Sequence, residues 1–271
     1  MVIYSRFYEL FVTEDDLMAV CKVISHRGAN LEAPQNTLPA FVKSTEIGVD
    51  GFETDIHLTK DGVPVVCHNY TIDETSDGTG DIKDMTFEQL LEYDFGSWFH
   101  DKFKGTKIPT VEEFLSLCEN ADIEIMNIEI KPPRDGNMEI VAKTIEAAKS
   151  HGLFDKLLIS SFDPDVLVEC KNIDPECKTG FLYAPNKKEY YFNMLFGYVE
   201  FAKKIKADFL HPHFLAVNKR YVRRLHEAGI GINVWTVDKP ETAKKMLECG
   251  VDGIITNDPI MIKDLIVRFN K

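Results

Sequence analysis

Long apolar runs are missing from this sequence. No stretch of about 18 consecutive apolar residues occurs in the 271-residue chain, so it contains no candidate helical membrane span. Nor do the first 20 residues, which carry Glu9, Glu14, Asp15 and Asp16, join a basic segment to an apolar one as a secretory leader does. A cytoplasmic protein without stable membrane insertion is expected. Cationic charge is also scarce: 31 Lys and Arg face 44 Asp and Glu, for a formal net charge of −13. That balance argues against a general nucleic-acid or anionic-membrane partner, because both need a basic surface to displace counterions. An anionic small molecule is still allowed where cations converge in one pocket. The six cysteines, at 21, 67, 118, 170, 177 and 249, form no Cys-x-x-Cys pair and follow no regular spacing. Buried reduced thiols are therefore expected, not disulfides or zinc. The absence of a Gly-x-Ser-x-Gly elbow weakens the case for a serine hydrolase.

What is present centres on Gly51 to His68, GFETDIHLTKDGVPVVCH. Successive side chains of a strand face opposite sides, so Glu53 and Asp55 point the same way, two residues apart. Two carboxylates that close repel unless a cation sits between them, and a hard divalent ion takes oxygen ligands. A Glu-x-Asp strand is ordinarily a solvated outer face. Here, however, it follows an apolar helix and the turn Ile47-Gly48-Val49-Asp50-Gly51, the pattern that leads into a buried strand of a βα repeat. Thr59-Lys60-Asp61-Gly62 reads as a hairpin turn, and Val63 to Cys67 as a returning strand that brings His68 near the carboxylates. His57 shares the parity of Glu53 and Asp55 but falls past the expected strand end, as a loop histidine.

The rest of the chain repeats strand and helix. Strands are expected at Lys22 to Ser25, Ile123 to Lys131, Leu157 to Ser160, Thr179 to Tyr183, Asp208 to Leu210, Gly231 to Trp235 and Gly253 to Thr256. Helical patterns follow each, and Gly48-Val49-Asp50-Gly51 is echoed by Gly250-Val251-Asp252-Gly253. Eight such units predict an α/β fold, a single TIM-type (β/α)8 barrel over residues 21–271. Residues 1–20 are expected to be an extension packing on the barrel. Asn69 to Lys107, rich in Asp, Gly and Thr, is too long for an ordinary connection and reads as an enlarged loop or lid after the second strand. Thr110 with Glu113 forms a capping box for the next helix, and Asn36 or Thr37 is the expected cap of the first. Tyr183 to Lys203 reads as an enlarged loop and helix whose aromatics, among them Tyr190, Tyr191, Phe192, Phe196 and Tyr198, are local core.

In such a barrel the reactive face is the carboxyl end of the strands. His26, Arg27, Glu53, Asp55, His68, Asn127, Glu129, Lys131, Trp235 and Asn257 all fall there. Three carboxylates can hold one divalent cation, two histidines can act as acid and base, and Arg27 with Lys131 can bind an anion. Together these parts describe phosphoester chemistry. His211 and His213, after the sixth strand, are expected near the mouth. Ser161 reads either as a hydroxyl donor to substrate or as a helix cap.

The same motifs carry a family resemblance. His26-Arg27-Gly28, Ala33-Pro34-Gln35-Asn36-Thr37, Glu53-Thr54-Asp55, Leu58 to Val66, His68, Asn127-Ile128-Glu129-Ile130-Lys131, Val234-Trp235-Thr236 and Gly250 to Pro259, in this order, resemble the glycerophosphodiester phosphodiesterase family. The resemblance implies hydrolysis of glycerophosphodiesters, such as glycerophosphocholine or glycerophosphoethanolamine, to an alcohol and glycerol 3-phosphate. It also implies Glu53, Asp55 and Glu129 as ligands of one divalent cation, His26 and His68 as the acid/base pair, Arg27 and Lys131 as phosphate contacts, and Trp235 as a substrate-pocket residue. An all-oxygen ligand set suits Mg²⁺ or Ca²⁺, and Mn²⁺ as well. Two positions depart from the pattern: Gln35 where a glutamate is usual, and Asn69 where an aspartate often follows the histidine. A phospholipase D-like relative and a catalytically silent barrel that binds a phosphorylated ligand are the alternatives.

Overall fold

Alternation in β2 (Gly51–Leu58) divides the chain's chemistry from its core. Phe52 and Ile56 point out of the sheet, where Phe52 packs against Phe41 and Phe114; the Phe41 and Phe114 rings meet edge-on at 4.7 Å. Glu53 and Asp55 consequently point the opposite way, into the space that the other strands enclose. The structure, a computed structural model, describes residues 21–184 and 190–269. The expected N-terminal extension and the side chains of Tyr190, Tyr191, Phe192 and Phe196 lie outside the described residues.

Eight parallel strands close the enclosure. They are β1 (Lys22–His26), β2, β4 (Ile125–Ile130), β5 (Leu157–Ser161), β6 (Lys178–Tyr183), β7 (Phe209–Pro212), β8 (Gly231–Val234) and β9 (Gly253–Thr256). The sheet order runs β1, β9, β8, β7, β6, β5, β4, β2, and β1 pairs with β2 to complete the ring. The short β3 (Pro64–Val66) lies antiparallel on β2 outside the ring, with Ile56 opposite Val66. Helices α1 (Leu38–Ile47), α2 (Phe87–Leu90), α3 (Val111–Cys118), α4 (Glu139–Ser150), α5 (Pro164–Ile173), α6 (Tyr190–Lys204), α7 (Lys219–Glu227), α8 (Pro240–Cys249) and α9 (Pro259–Phe269) alternate with the strands. The architecture is the TIM-type barrel that the alternation predicts. No helix among the described residues is long and apolar enough to cross a membrane.

The repeated Gly-Val-Asp-Gly has a physical reason. Gly48 and Gly250 end their helices at φ 73° and 77°, the left-handed region that glycine enters without steric cost. Two residues on, Asp50 accepts a hydrogen bond from the backbone N–H of Val23 at 2.7 Å, and Asp252 does the same for Ile232 at 2.7 Å. Asp208 repeats the device on Thr179. Each carboxylate thus satisfies a backbone donor of the neighbouring strand near its amino end, where the ladder has no partner for it.

The long segment after β2 is a packed insertion with a core of its own. Val65, Cys67, Ile72, Ile82, Leu90, Phe95 and Ile108 are buried together, apart from the main core. Capping boxes fix both neighbouring helices: Thr86 with Gln89, and Thr110 with Glu113 as the sequence suggests. The cap expected at Asn36 or Thr37 is different. Thr37 holds the cap position of α1 but its hydroxyl donates to the carbonyl of Pro34, while Asn36 turns its side chain toward the barrel interior.

Candidate active site

Strand register builds the site. On β1, β2 and β4, His26 lies beside Glu53, Glu53 beside Asn127, and Asp55 beside Glu129. Glu53, Asp55 and Glu129 are buried, and each offers an oxygen within 4.8 Å of the other two. The backbone N–H of Arg27 donates to Glu53 at 3.0 Å, the side-chain amide of Asn36 donates to Asp55 at 2.9 Å, and Lys131 Nζ lies 2.7 Å from Asp55 and 2.6 Å from Glu129. Arg27 Nε is 3.4 Å from Asp55, and one of its terminal nitrogens donates to Gln35 at 2.7 Å.

Two of these residues sit in unusual backbone. Arg27 and Asn36 have φ of 58° and 56°, a left-handed region that costs a side-chain-bearing residue on the order of 1 kcal/mol or more. The adjoining Gly28, at φ 77°, has no alternative, because a Cβ there would stand 2.8 Å from the backbone of Ala40. The tight crossing of this loop over α1 is what aims Arg27 and Asn36 at Asp55.

Burial and mutual repulsion set the protonation of the three acids. Burial, then Asp55 and Glu129, push Glu53 well above the carboxylate range; burial and Asp55 push Glu129 up to about 7. Burial would raise Asp55 too, but Lys131 and Arg27 outweigh it and hold that carboxyl well below its usual value. Were all three ionised, as a bound cation would hold them, they would exceed the charges of Arg27 and Lys131 by a single negative charge. A divalent cation there would leave a single positive charge, the complement of a monoanion. Asn127 adds an observation in the same direction: its buried side-chain oxygen has no hydrogen-bond partner, although it borders the cavity beside Glu53. The donor set is all oxygen, as a hard cation requires.

The two histidines are held alike. His26 Nδ1 lies 2.7 Å from the side-chain oxygen of Asn257, whose amide donates to Asp238 at 2.7 Å. His68 Nδ1 lies 2.6 Å from the side-chain oxygen of Asn69, whose amide donates to Glu74 at 2.6 Å. Because each amide nitrogen is committed to a carboxylate, each amide oxygen faces its ring and accepts from Nδ1–H, so Nε2 carries the lone pair. His26 Nε2 is 3.9 Å from Glu53. Burial and then Arg27 push His26 down to about 4, and burial lowers His68 as well.

These groups share one cavity of ≈ 150 Å³. His26, Arg27, His68 and Lys131 form its polar wall, and Phe162 and Trp235 part of an apolar one. Trp235, one residue past β8, donates its indole N–H to the carbonyl of His211 at 2.6 Å and meets Phe162 edge-on at 5.6 Å. The cavity can therefore take a small molecule with an anionic centre and a compact apolar or polyol flank.

The profile of the glycerophosphoryl diester phosphodiesterase family matches residues 26–261. The chain belongs to that family. It is 37% identical over 244 residues to a glycerophosphodiester phosphodiesterase of Caldanaerobacter subterraneus, covering 90% of this chain and 97% of that protein. Among solved structures it resembles a putative glycerophosphoryl diester phosphodiesterase of Silicibacter pomeroyi, with a TM-score of 0.85, 26% identity, and coverage of 93% and 95% of the two chains. An Oleispira antarctica phosphodiesterase, solved in complex with its product sn-glycerol-3-phosphate, superposes with a TM-score of 0.83 at 28% identity, over 91% of this chain and 96% of that one.

Within this family member, all eight residues singled out from the sequence, His26, His68, Glu53, Asp55, Glu129, Arg27, Lys131 and Trp235, meet at one end of the barrel. Other expectations are corrected. His57 is not in a loop but in β2, buried, with Nε2 3.2 Å from the carbonyl oxygen of His68 and its ring edge-on to Tyr70. The strand runs longer than the hairpin turn suggests, because β3 pairs up to Leu58. His211 does not reach the mouth: it fills the barrel interior, wholly buried, against the side chain of Asn233. Gly180 makes the room, since a Cβ there would stand 2.6 Å from the His211 ring. Ser161 donates to the carbonyl of Ile130 and accepts from the N–H of Asp163, which leaves it a structural hydroxyl. Sequence reasoning missed the part of Asn36, and it placed Asn257 at the rim without a partner. The signal for Asn36 is an asparagine between Gln35 and a helix start, a residue suited to a positive φ.

Proposed function

We propose that this chain hydrolyses glycerophosphodiesters, such as glycerophosphocholine or glycerophosphoethanolamine, to an alcohol and glycerol 3-phosphate. The observation that carries the reading is one cavity lined by Glu53 and Glu129 of the three clustered carboxylates, by Arg27 and Lys131, and by two histidines whose Nδ1 atoms each meet an asparagine side-chain oxygen. Glu53, Asp55 and Glu129 would hold one divalent cation, Mg²⁺ or Ca²⁺, with Mn²⁺ also suited, and Asn127 would offer a further oxygen. When bound, that ion neutralises a phosphoryl oxygen and so makes phosphorus easier to attack. Arg27 and Lys131 hold the remaining phosphate charge as fork and point charge.

His26 acts as base and His68 as acid. His26, pushed down to about 4, is neutral near pH 7 and presents its Nε2 lone pair to the attacking hydroxyl: water, which yields glycerol 3-phosphate directly, or the neighbouring glycerol hydroxyl, whose cyclic phosphodiester a water then opens with the two histidines in exchanged roles. His68 is less buried, and a bound phosphodiester anion favours its imidazolium. Its Nε2–H then protonates the departing alkoxide. Trp235 and Phe162 close the apolar flank of the pocket against water. A cytoplasmic setting fits the six free thiols, five of which are buried.

The test is release of glycerol 3-phosphate from glycerophosphocholine and glycerophosphoethanolamine by the metal-stripped protein, before and after Mg²⁺, Ca²⁺ or Mn²⁺ is restored. Release that depends on the restored ion and is lost in His68→Ala supports the reading. No release from either diester with any of the three ions would sink it.

A further inference from the structure

A second cleft adjoins the active cavity and shares one wall with it. It lies between the insertion after β2 and the loop that follows β4, has a volume of ≈ 140 Å³, and meets the active cavity at Lys131, which lines both. One water needs roughly 10–15 Å³ of such space, so the cleft holds a group much larger than a water. Of the four cations that line it, Lys131 is already paired with Asp55 and Glu129, which leaves Lys60, Lys83 and Arg134 against one lining carboxylate, Asp135. That local excess stands in a chain whose formal net charge is −13.

Arg134 is held in place there. Its guanidinium carbon stands 3.8 Å from the centroid of the Tyr70 ring, stacked as an arginine fork stacks on an aromatic face. Tyr70 is fixed in turn, its hydroxyl donating to the carbonyl of Pro132 at 2.9 Å and its ring meeting buried His57 edge-on. The carboxylate nearest to Arg134, Asp81, is 3.5 Å away, too long for a strong charge-assisted bond, which leaves in-plane N–H donors for another acceptor. Lys83 is engaged with Asp84 at 2.8 Å, whereas Lys60 makes no ion pair among the described residues.

We propose that this cleft binds a second anionic group, a phosphomonoester, carried on the alcohol half of the diester. The inference rests on the phosphodiesterase reading above. The glycerol half of a glycerophosphodiester carries no further charge, so a second anion can come only from the alcohol. With the diester phosphate held by Lys131 on one side, an alcohol of the size of a cyclic polyol spans to the cleft on the other. Arg134 then accepts the phosphomonoester in its fork, and Lys60 supplies a mobile point charge. Diesters of phosphorylated polyols are the substrate class that this arrangement favours over diesters of choline, whose cationic headgroup the cleft repels.

The experiment compares glycerophosphoinositol with glycerophosphoinositol 4-phosphate, which differ only in the second phosphate, on the metal-loaded full chain and on its Arg134→Gln variant. Initial rates and calorimetric binding are read together. The expected result is at least tenfold tighter binding and lower KM for the phosphorylated diester, lost in Arg134→Gln while turnover of glycerophosphoinositol is unchanged. Equal KM and equal binding of the two diesters by the wild type would overturn the proposal, as would a preference that survives both Arg134→Gln and Lys60→Gln. If the wild type turns over neither inositol diester, calorimetry decides the cleft on its own, and release from glycerophosphocholine or glycerophosphoethanolamine separately decides the phosphodiesterase reading.

Discussion

The two histidine arms of the site make the same hydrogen bonds from different kinds of backbone. His26 ends a barrel strand, and its partners Asn257 and Asp238 follow the neighbouring strands β9 and β8, so that arm belongs to the frame. His68 follows β3 outside the ring, and its partners Asn69 and Glu74 lie in the insertion, whose core is separate from the main one. The first arm is as rigid as the barrel. The second is only as firmly placed as the insertion's packing and the contact from His57 to the His68 carbonyl allow. A base fixed to the frame and an acid fixed to a separable unit suit a site in which one group must stay desolvated while the other follows the leaving alcohol.

Removing the rings should have the largest effect. His26→Ala and His68→Ala each lose about 10²–10⁴-fold in kcat, measured as glycerol 3-phosphate release, with cation affinity retained in both. Next come the amide relays: Asn257→Ala and Asn69→Ala should cost roughly 10–100-fold. Asn69→Asp, which sets a carboxylate beside the ring, should raise the His68 pKa and move the alkaline limb of the pH–rate profile upward. An unmoved profile would mean that Asn69 does not touch the acid. Weakening the insertion separates the arms. Ile82→Ala or Leu90→Ala removes a buried side chain from that small core, at about 2–5 kcal/mol of local stability. Such a variant should lose activity and gain protease sensitivity within residues 67–110 while the barrel keeps its thermal transition; a fully cooperative loss would erase the distinction between frame and insertion.

Two smaller effects follow from pH. Glu129 has been pushed up to about 7, so protons compete with a cation there, and cation affinity should rise as pH climbs through that value. His26 and His57 are both pushed down to about 4 by burial. Their unfolded values near 6.5 mean that, as pH falls from there to 4, the unfolded chain binds protons that the folded one refuses. Stability is therefore fully present above about 6.5 and declines below it, by at most about 1.4 kcal/mol per pH unit for each ring. His57→Gln should flatten that decline in a series of thermal melts.

Much of this was legible in the sequence because it depends on local periodicity. Parity in β2 and β4 placed Glu53, Asp55, Asn127 and Glu129 on one side, and register between parallel strands then brought them together. The turn glycines and the repeated Val-Asp after them marked the changes from helix to strand. What stayed hidden depends on contacts between distant segments. Asn36 reaches Asp55 only because the loop after β1 takes two left-handed residues over α1, and nothing in the spacing states that. His57 became a strand residue through its pairing with β3, and His211 turned inward because Gly180 on the adjacent strand leaves it room. Periodicity tells which face a side chain takes; it does not tell which neighbour is small enough to receive it.

The account rests most heavily on the three carboxylates as the seat of one ion that turnover requires. Titrating Mg²⁺ or Ca²⁺ into metal-stripped wild type and Asp55→Asn, with heat of binding and glycerol 3-phosphate release followed in the same samples, tests it most directly. One ion bound per chain, with activity rising in step, and both lost in Asp55→Asn, is the predicted result. EDTA-sensitive turnover that persists in Asp55→Asn, or full turnover by the stripped wild type, would contradict it.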